Sequence, residues 1–224
     1  MPATLLRSLR DTGMVWLRMF VLGSGLGIMV AGSGLPWWVA PLLSGTIYAG
    51  SVEFLLVGLL TAAAPLSAIA LTTALVNSRH LFYGLAFPLQ RVHGLARLYS
   101  IFALTDEAFA LTVARSNKEL SHGWILCTQA GLQLSWISGS LTGVIIGATL
   151  LQDIQGLDFI LTALFIALAM DAYRARPDRL ALAAALVCGS LAAMLAGDAM
   201  LVVAMSAFTL LMLLRYRLHR TKHA

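Results

Sequence analysis

The sequence predicts an all-α, polytopic membrane protein with about eight transmembrane segments, seven being the alternative count. Three observations predict it. Apolar residues make up 59% of the 224 positions and charged residues only 11%, against about 45–50% and about 25% in a soluble domain. Mean hydropathy is +0.86, more apolar surface than a soluble fold of this size can hide. The apolar residues also gather into runs of span length, at 14–32, 37–60, 66–88, 98–114, 124–151, 158–173, 180–196 and 199–218. Eight spans of about 20 residues use roughly 160 positions and leave roughly 64 for loops and termini. That leaves no room for a soluble catalytic, nucleotide-binding or receptor domain. The whole chain reads as one membrane-embedded domain.

Each run is bounded by turn chemistry. Gly34–Pro36, Pro65, Gly94, Ser116–Ser121, Gln152–Gly156, Arg176–Arg179 and Gly197–Asp198 separate consecutive segments. The first run follows Arg7 and Arg10, contains Arg18 and lacks a small-residue cleavage pattern, so it is expected to be a retained span, not a signal peptide. The second carries Gly45, Gly50 and Ser51 just before Glu53. Glycine at that density favours a bend or a discontinuous helix. The fourth is interrupted by Thr105, Asp106 and Glu107.

The formal net charge of +5 is read as basic residues at cytoplasmic span ends, not as a nucleic-acid surface. Arginines before residue 19, at 174–179 and at 215–220 place both termini in the cytoplasm and favour an even number of spans. Arg91 and Arg97 would then lie outside, unless residues 89–114 are partly re-entrant. Gly23-Ser24-Gly25-Leu26-Gly27-Ile28 resembles Gly139-Ser140-Leu141-Thr142-Gly143-Val144, which raises a parallel four-plus-four internal repeat beside simple helix-packing similarity. Cys127 and Cys188 have no CxxC spacing and read as packing residues.

A carboxylate near mid-span is costly unless paired or hydrated. Glu53 is therefore a candidate for a substrate ammonium or a coupled proton, or else caps a half-helix or pairs with Arg79. Arg79 suits a carboxylate and His80 a proton shuttle, or they snorkel and bond a carbonyl. Asp106 and Glu107 are adjacent and point about 100° apart on a helix. One is expected to pair with Arg79 or another basic group and the other to titrate during transport, with Thr105 capping a helix as the competing role. Gln129 and Gln133 share a helix face, lining a path or gluing helices. Asp158 and Asp171 are read as solvated or paired at span ends, Asp198 as a turn residue, and Trp37 and Trp38 as an interfacial belt. No zinc spacing, nucleophile elbow or phosphate-binding loop occurs, so neither catalysis, nor a metal, nor a cofactor is expected.

Four passages together resemble the AzlC-type large subunit of branched-chain amino acid exporters, the AzlC/YgaZ family. They are Ile47-Tyr48-Ala49-Gly50-Ser51-Val52-Glu53-Phe54, Asn77-Ser78-Arg79-His80-Leu81-Phe82-Tyr83-Gly84, Leu104-Thr105-Asp106-Glu107-Ala108-Phe109-Ala110 and Leu157-Asp158-Phe159-Ile160-Leu161-Thr162-Ala163-Leu164-Phe165. The resemblance implies a secondary-active exporter in the bacterial inner membrane. It would move valine, leucine, isoleucine and in some members methionine, together with a small hydrophobic AzlD-type membrane subunit. Many members carry Gln where this chain has Glu53. The resemblance gathers Tyr48, Gly50, Glu53, Arg79, His80, Asp106 and Glu107 into the substrate or ion pathway, with Gln129 and Gln133 beside them. The competing reading is an assembly subunit whose partner carries the pathway, or an exporter of another amino-acid-like solute.

Overall fold

A computed structural model describes residues 2–116, 120–150, 177–197 and 200–221, and positions 162, 163, 166, 169, 170, 173 and 174. Among the described residues the regular structure is helical. The expected segment at 158–173, with Asp158 and Asp171, lies largely outside them, and so does Asp198.

In the first half of the chain one long helix is followed by three pairs of short ones. α1 (Pro2–Gly32) ends before Gly34, whose φ of +74° turns the chain. The run expected at 37–60 is two helices, α2 (Val39–Thr46) and α3 (Ser51–Thr61). Between them Tyr48 and Gly50 take positive φ, +46° and +31°, a region a side chain normally avoids. The run at 66–88 is α4 (Leu66–Asn77) and α5 (Arg79–Ala86), divided only at Ser78, whose backbone stays helical. α5 stops at Phe87, held extended by the following Pro88. A 3-10 turn at Leu89–Arg91 leads through Gly94, φ +63°, to α6 (Leu95–Phe102). α7 (Asp106–Val113) follows after Ala103–Thr105. The region 89–114 is therefore not one continuous span but two helices of eight residues each. α8 (His122–Leu150) is again long, and α9 (Arg179–Leu195) and α10 (Met200–Thr221) follow. Two of the described helices, over Thr4–Gly32 and His122–Thr149, are long and apolar enough to cross a membrane unbroken.

The chain forms two compact units. One comprises Met1–Ala63 and Asn77–Leu161, the other Ala64–Val76 and Thr162–Ala224. The first is built on α1 against α8. Contacts advance together along both helices, from Ser8 with Thr128 (2.6 Å between hydroxyls) to Ser24 with Gly143 and Ile28 with Gly147. The two helices therefore run parallel, and the two similar Gly–Ser runs lie against each other. A Cβ at Gly27 would overlap the Ser140 carbonyl oxygen, and one at Gly143 the Ser24 carbonyl oxygen. This close approach of backbones is what small residues permit between membrane helices. In the second unit α9 packs on α10. Asp178 caps α9 through the Ala181 N–H at 3.0 Å and binds Arg215 at 2.6 Å.

Candidate functional site

The site forms where the α2–α3 and α6–α7 breaks meet α8. Breaking a helix leaves carbonyls and N–H groups without partners, and at membrane depth these must be satisfied inside the protein. α8 does much of this. The Gln129 amide donates to the carbonyls of Ser100 (2.9 Å) and Ala103 (3.2 Å), in and just beyond the last turn of α6. The Gln133 amide reaches the Gly45 carbonyl near the end of α2 at 3.5 Å and accepts from the Tyr99 hydroxyl at 2.9 Å. The two glutamines thus join helices by closing helix ends.

Glu53 sits in the first turn of α3 and is fully buried. The Trp136 indole N–H donates to both carboxyl oxygens at 3.1 and 3.0 Å. Ser44 Oγ donates at 3.1 Å and the Ala49 N–H at 2.9 Å. The expected alternative pairing of Glu53 with Arg79 does not occur. All four of these contacts come from neutral donors, and Arg79 is turned to another carboxylate. The bond to Ala49 ties Glu53 back across the break, so the half-helix capping role is realised. Trp136 also lies edge-on to Phe54, with ring centroids 6.2 Å apart.

Arg79 Nη2 ion-pairs with Asp106 Oδ2 at 3.0 Å and donates to Ser51 Oγ at 3.1 Å, with both charged side chains about two-fifths exposed (41% and 42%). It links the start of α5 to the starts of α3 and α7. The Tyr83 hydroxyl donates to the other Asp106 oxygen at 2.8 Å. Tyr83 stacks on Phe109 at 4.4 Å. His80 lies edge-on to Tyr83 at 5.2 Å, and its Nδ1 is 3.2 Å from the Asn77 carbonyl oxygen. Of the two adjacent acids, Asp106 takes the arginine. Glu107 points elsewhere, within electrostatic reach of Arg18 on α1. Thr105 accepts from the Ala108 N–H at 3.3 Å and caps α7, so the capping and pairing roles coexist.

Tyr48 is buried in its strained conformation and faces Phe102 at 6.2 Å. Its hydroxyl, Ser100 Oγ and Gln129 Oε1 are buried with no hydrogen-bond partner among the described residues. Unsatisfied buried polar atoms are costly, and here they fall among the breaks. Among the described residues, no three His, Cys, Asp or Glu side chains gather as metal ligands. The site also includes residues the sequence reading passed over: Ser44, Tyr83, Tyr99 and Trp136. Trp136 had a detectable signal, since Gln129, Gln133 and Trp136 follow i, i+4, i+7 spacing on one helix face.

Comparison with known proteins matches residues 14–150 to the family described as AzlC protein, the stretch that carries all of this geometry. An uncharacterized membrane protein of Helicobacter pylori strain J99 is 34% identical over 78% of this chain and 79% of its own length. The branched-chain amino acid transport protein AzlC of Bacillus subtilis is 36% identical over 67% of this chain and 60% of its own length. The inner membrane protein YgaZ of Escherichia coli is 28% identical over 85% of this chain and 81% of its own length. No solved structure matches the chain.

Proposed function

The chain belongs to the AzlC family of membrane proteins, and we propose that it is a secondary-active exporter of branched-chain amino acids. In this reading it is the large subunit beside a small AzlD-type membrane subunit in the bacterial inner membrane, with both termini cytoplasmic. The observation that carries the proposal is the meeting of two helix breaks around buried Glu53 and the Arg79–Asp106 pair. Discontinuous helices with charged groups at their ends are how transporters bind small zwitterions near the midplane. The name of the Bacillus subtilis relative supplies the substrate class.

The chemistry follows from the donors and acceptors. Glu53 has no cation partner among the described residues, its donors being Trp136, Ser44 and Ala49, so a substrate ammonium supplies the missing positive charge. Arg79 is held by one carboxylate and one hydroxyl, which leaves guanidinium donors for a substrate carboxylate. The pairs 39–61, 66–86 and 95–113 each cover about the 20 positions of one crossing. Counting each pair as one span, with α1, α8, α9 and α10, gives seven spans among the described residues, and the apolar run at 158–173 would be the eighth.

The test loads cells with a valine-containing dipeptide and follows valine efflux with and without this chain and its partner. Faster efflux with both is expected. Glu53→Gln and Arg79→Lys are expected to reduce it at least tenfold while the protein still reaches the membrane. Equal efflux with and without the pair would reject the substrate class, and unchanged proton-dependent efflux in Glu53→Gln would remove Glu53 from coupling.

A further inference from the structure

α1 is 31 residues long, about 46 Å at 1.5 Å per residue. That exceeds the roughly 30 Å hydrocarbon core. Its polar N-terminal third, with Arg7, Ser8, Arg10 and Asp11, therefore falls at headgroup depth when the apolar remainder fills the core. At that end lies an open pocket of about 550 Å³, lined by Leu6, Arg7, Arg10, Asp11 and Arg115. Three guanidinium groups face one carboxylate there.

The pocket is built, not a loose fringe of arginines. Arg115 forms its far wall from the end of α7. It donates to Asp11 at 2.6 Å and lies over the Trp124 ring at 4.5 Å. Asp11 is thereby used up. Arg7 is only at the edge of ion-pair range, 3.9 Å from Asp11 and half exposed. Arg10 is exposed. Two positive charges remain for a ligand. Below them, on the same flank of α1, Met14 (80% exposed), Leu17 (55%) and Val21 (60%) continue at i+4, i+3 and i+4. This ridge of exposed apolar side chains leads from the arginines into the depth of the bilayer.

We propose that this pocket binds the phosphodiester headgroup of an anionic lipid through Arg7 and Arg10, with an acyl chain along Met14, Leu17 and Val21. Arg115 and Asp11 form the fixed wall. The apolar ridge distinguishes a lipid from a free phosphate, which would use the arginines alone. A lipid there bridges the start of α1 and the end of α7.

The test is native mass spectrometry of the full chain released from detergent with phosphatidylglycerol or phosphatidylcholine. Each arginine at an anionic surface contributes a factor of about five, so a preference for phosphatidylglycerol of roughly 25-fold is expected. Arg7→Gln with Arg10→Gln should bring it near parity, Arg10→Gln alone about halfway on a logarithmic scale. Both side chains are exposed, so folding should survive. Arg97→Gln, which removes an exposed arginine elsewhere, should leave the preference intact. Equal binding of the two lipids would overturn the proposal, as would an equal loss in Arg97→Gln. So would stripping of the lipid by millimolar inorganic phosphate, or its exclusion when the small partner subunit is co-purified.

Discussion

Replacing Trp136 by Phe isolates what holds Glu53. A smaller aromatic ring remains beside Phe54, and the volume lost with the indole's second ring costs the same in both backgrounds compared below. The polar loss is one N–H that serves both carboxyl oxygens, at 3.1 and 3.0 Å. Hydrogen bonds to a charged group are worth about 1.5–3 kcal/mol and neutral ones about 0.5–1.5. Glu53 is fully buried, so no water replaces the donor, and Ser44 and Ala49 already make their own bonds. A loss of about 1.5–3 kcal/mol is expected, or roughly 3–12 °C in melting temperature at about 2–4 °C per kcal/mol. The assay is thermal unfolding of the detergent-solubilised chain, in the native background and in Glu53→Gln. In the second background the same change should cost only about 0.5–1.5 kcal/mol, because the acceptor is neutral. A cost below about 0.5 kcal/mol, equal in both backgrounds, would refute the picture of a carboxylate held by neutral donors.

Gly27→Leu should separate α1 from α8, since the first added carbon already overlaps the Ser140 carbonyl oxygen. A loss of at least about 1–3 kcal/mol is expected by thermal unfolding, whereas the same change at Gly45, which has open space, should cost less. Thr105→Ala removes the α7 cap and should cost about 1 kcal/mol, with Thr105→Ser restoring most of it. The Ala181 N–H and Arg215 hold the Asp178 carboxyl below the usual aspartate range. Its contribution is then complete above the ordinary aspartate pKa and lost as pH falls through the lower folded value. Asp178→Asn should flatten that acid limb of a stability-against-pH profile by lowering stability at neutral pH, where the Arg215 pair is lost, and should converge with the native chain at low pH.

What was legible in the sequence was local. Glycine density ahead of Glu53 marked the break at Ile47–Gly50. Thr105 with two acids marked the start of α7. Arg79 was the one basic residue in the third run, and Asp106 took it. What was not legible was which distant groups meet. Glu53 and Trp136 are 83 positions apart, Tyr99 and Gln133 are 34 apart, and Tyr83 and Asp106 are 23 apart. Composition and periodicity place such residues on faces but do not say which faces meet. The pairing of Glu53 with Arg79 failed for this reason. Charge sign makes both Glu53 and Asp106 suitable, and only packing decides that α7 presents its carboxylate to α5 while α3 turns Glu53 toward α8.

The same packing explains why one face of α8 is polar inside a membrane segment. A polar stripe on an isolated helix would be a liability in hydrocarbon. Here Gln129 answers the carbonyls at the end of α6, Gln133 the carbonyl of Gly45 in α2, and Trp136 the carboxylate at the start of α3. Each N–H donor of the stripe is matched to a helix end that a break created, while Gln129 Oε1 has no partner among the described residues. α8 itself is fixed in register by its glycine seam against α1, where backbone meets backbone and sliding by a residue would bring Cβ atoms into carbonyls. The seam and the breaks are therefore one arrangement. Close parallel packing of two unbroken helices provides a rigid reference. The broken helices can then leave backbone and charge exposed to a shared interior without losing their register. A change in the seam, such as Gly143→Leu, should accordingly weaken substrate efflux as well as stability, though Gly143 touches none of the site residues directly. A seam variant that unfolds early yet retains its native efflux at low temperature would break that link.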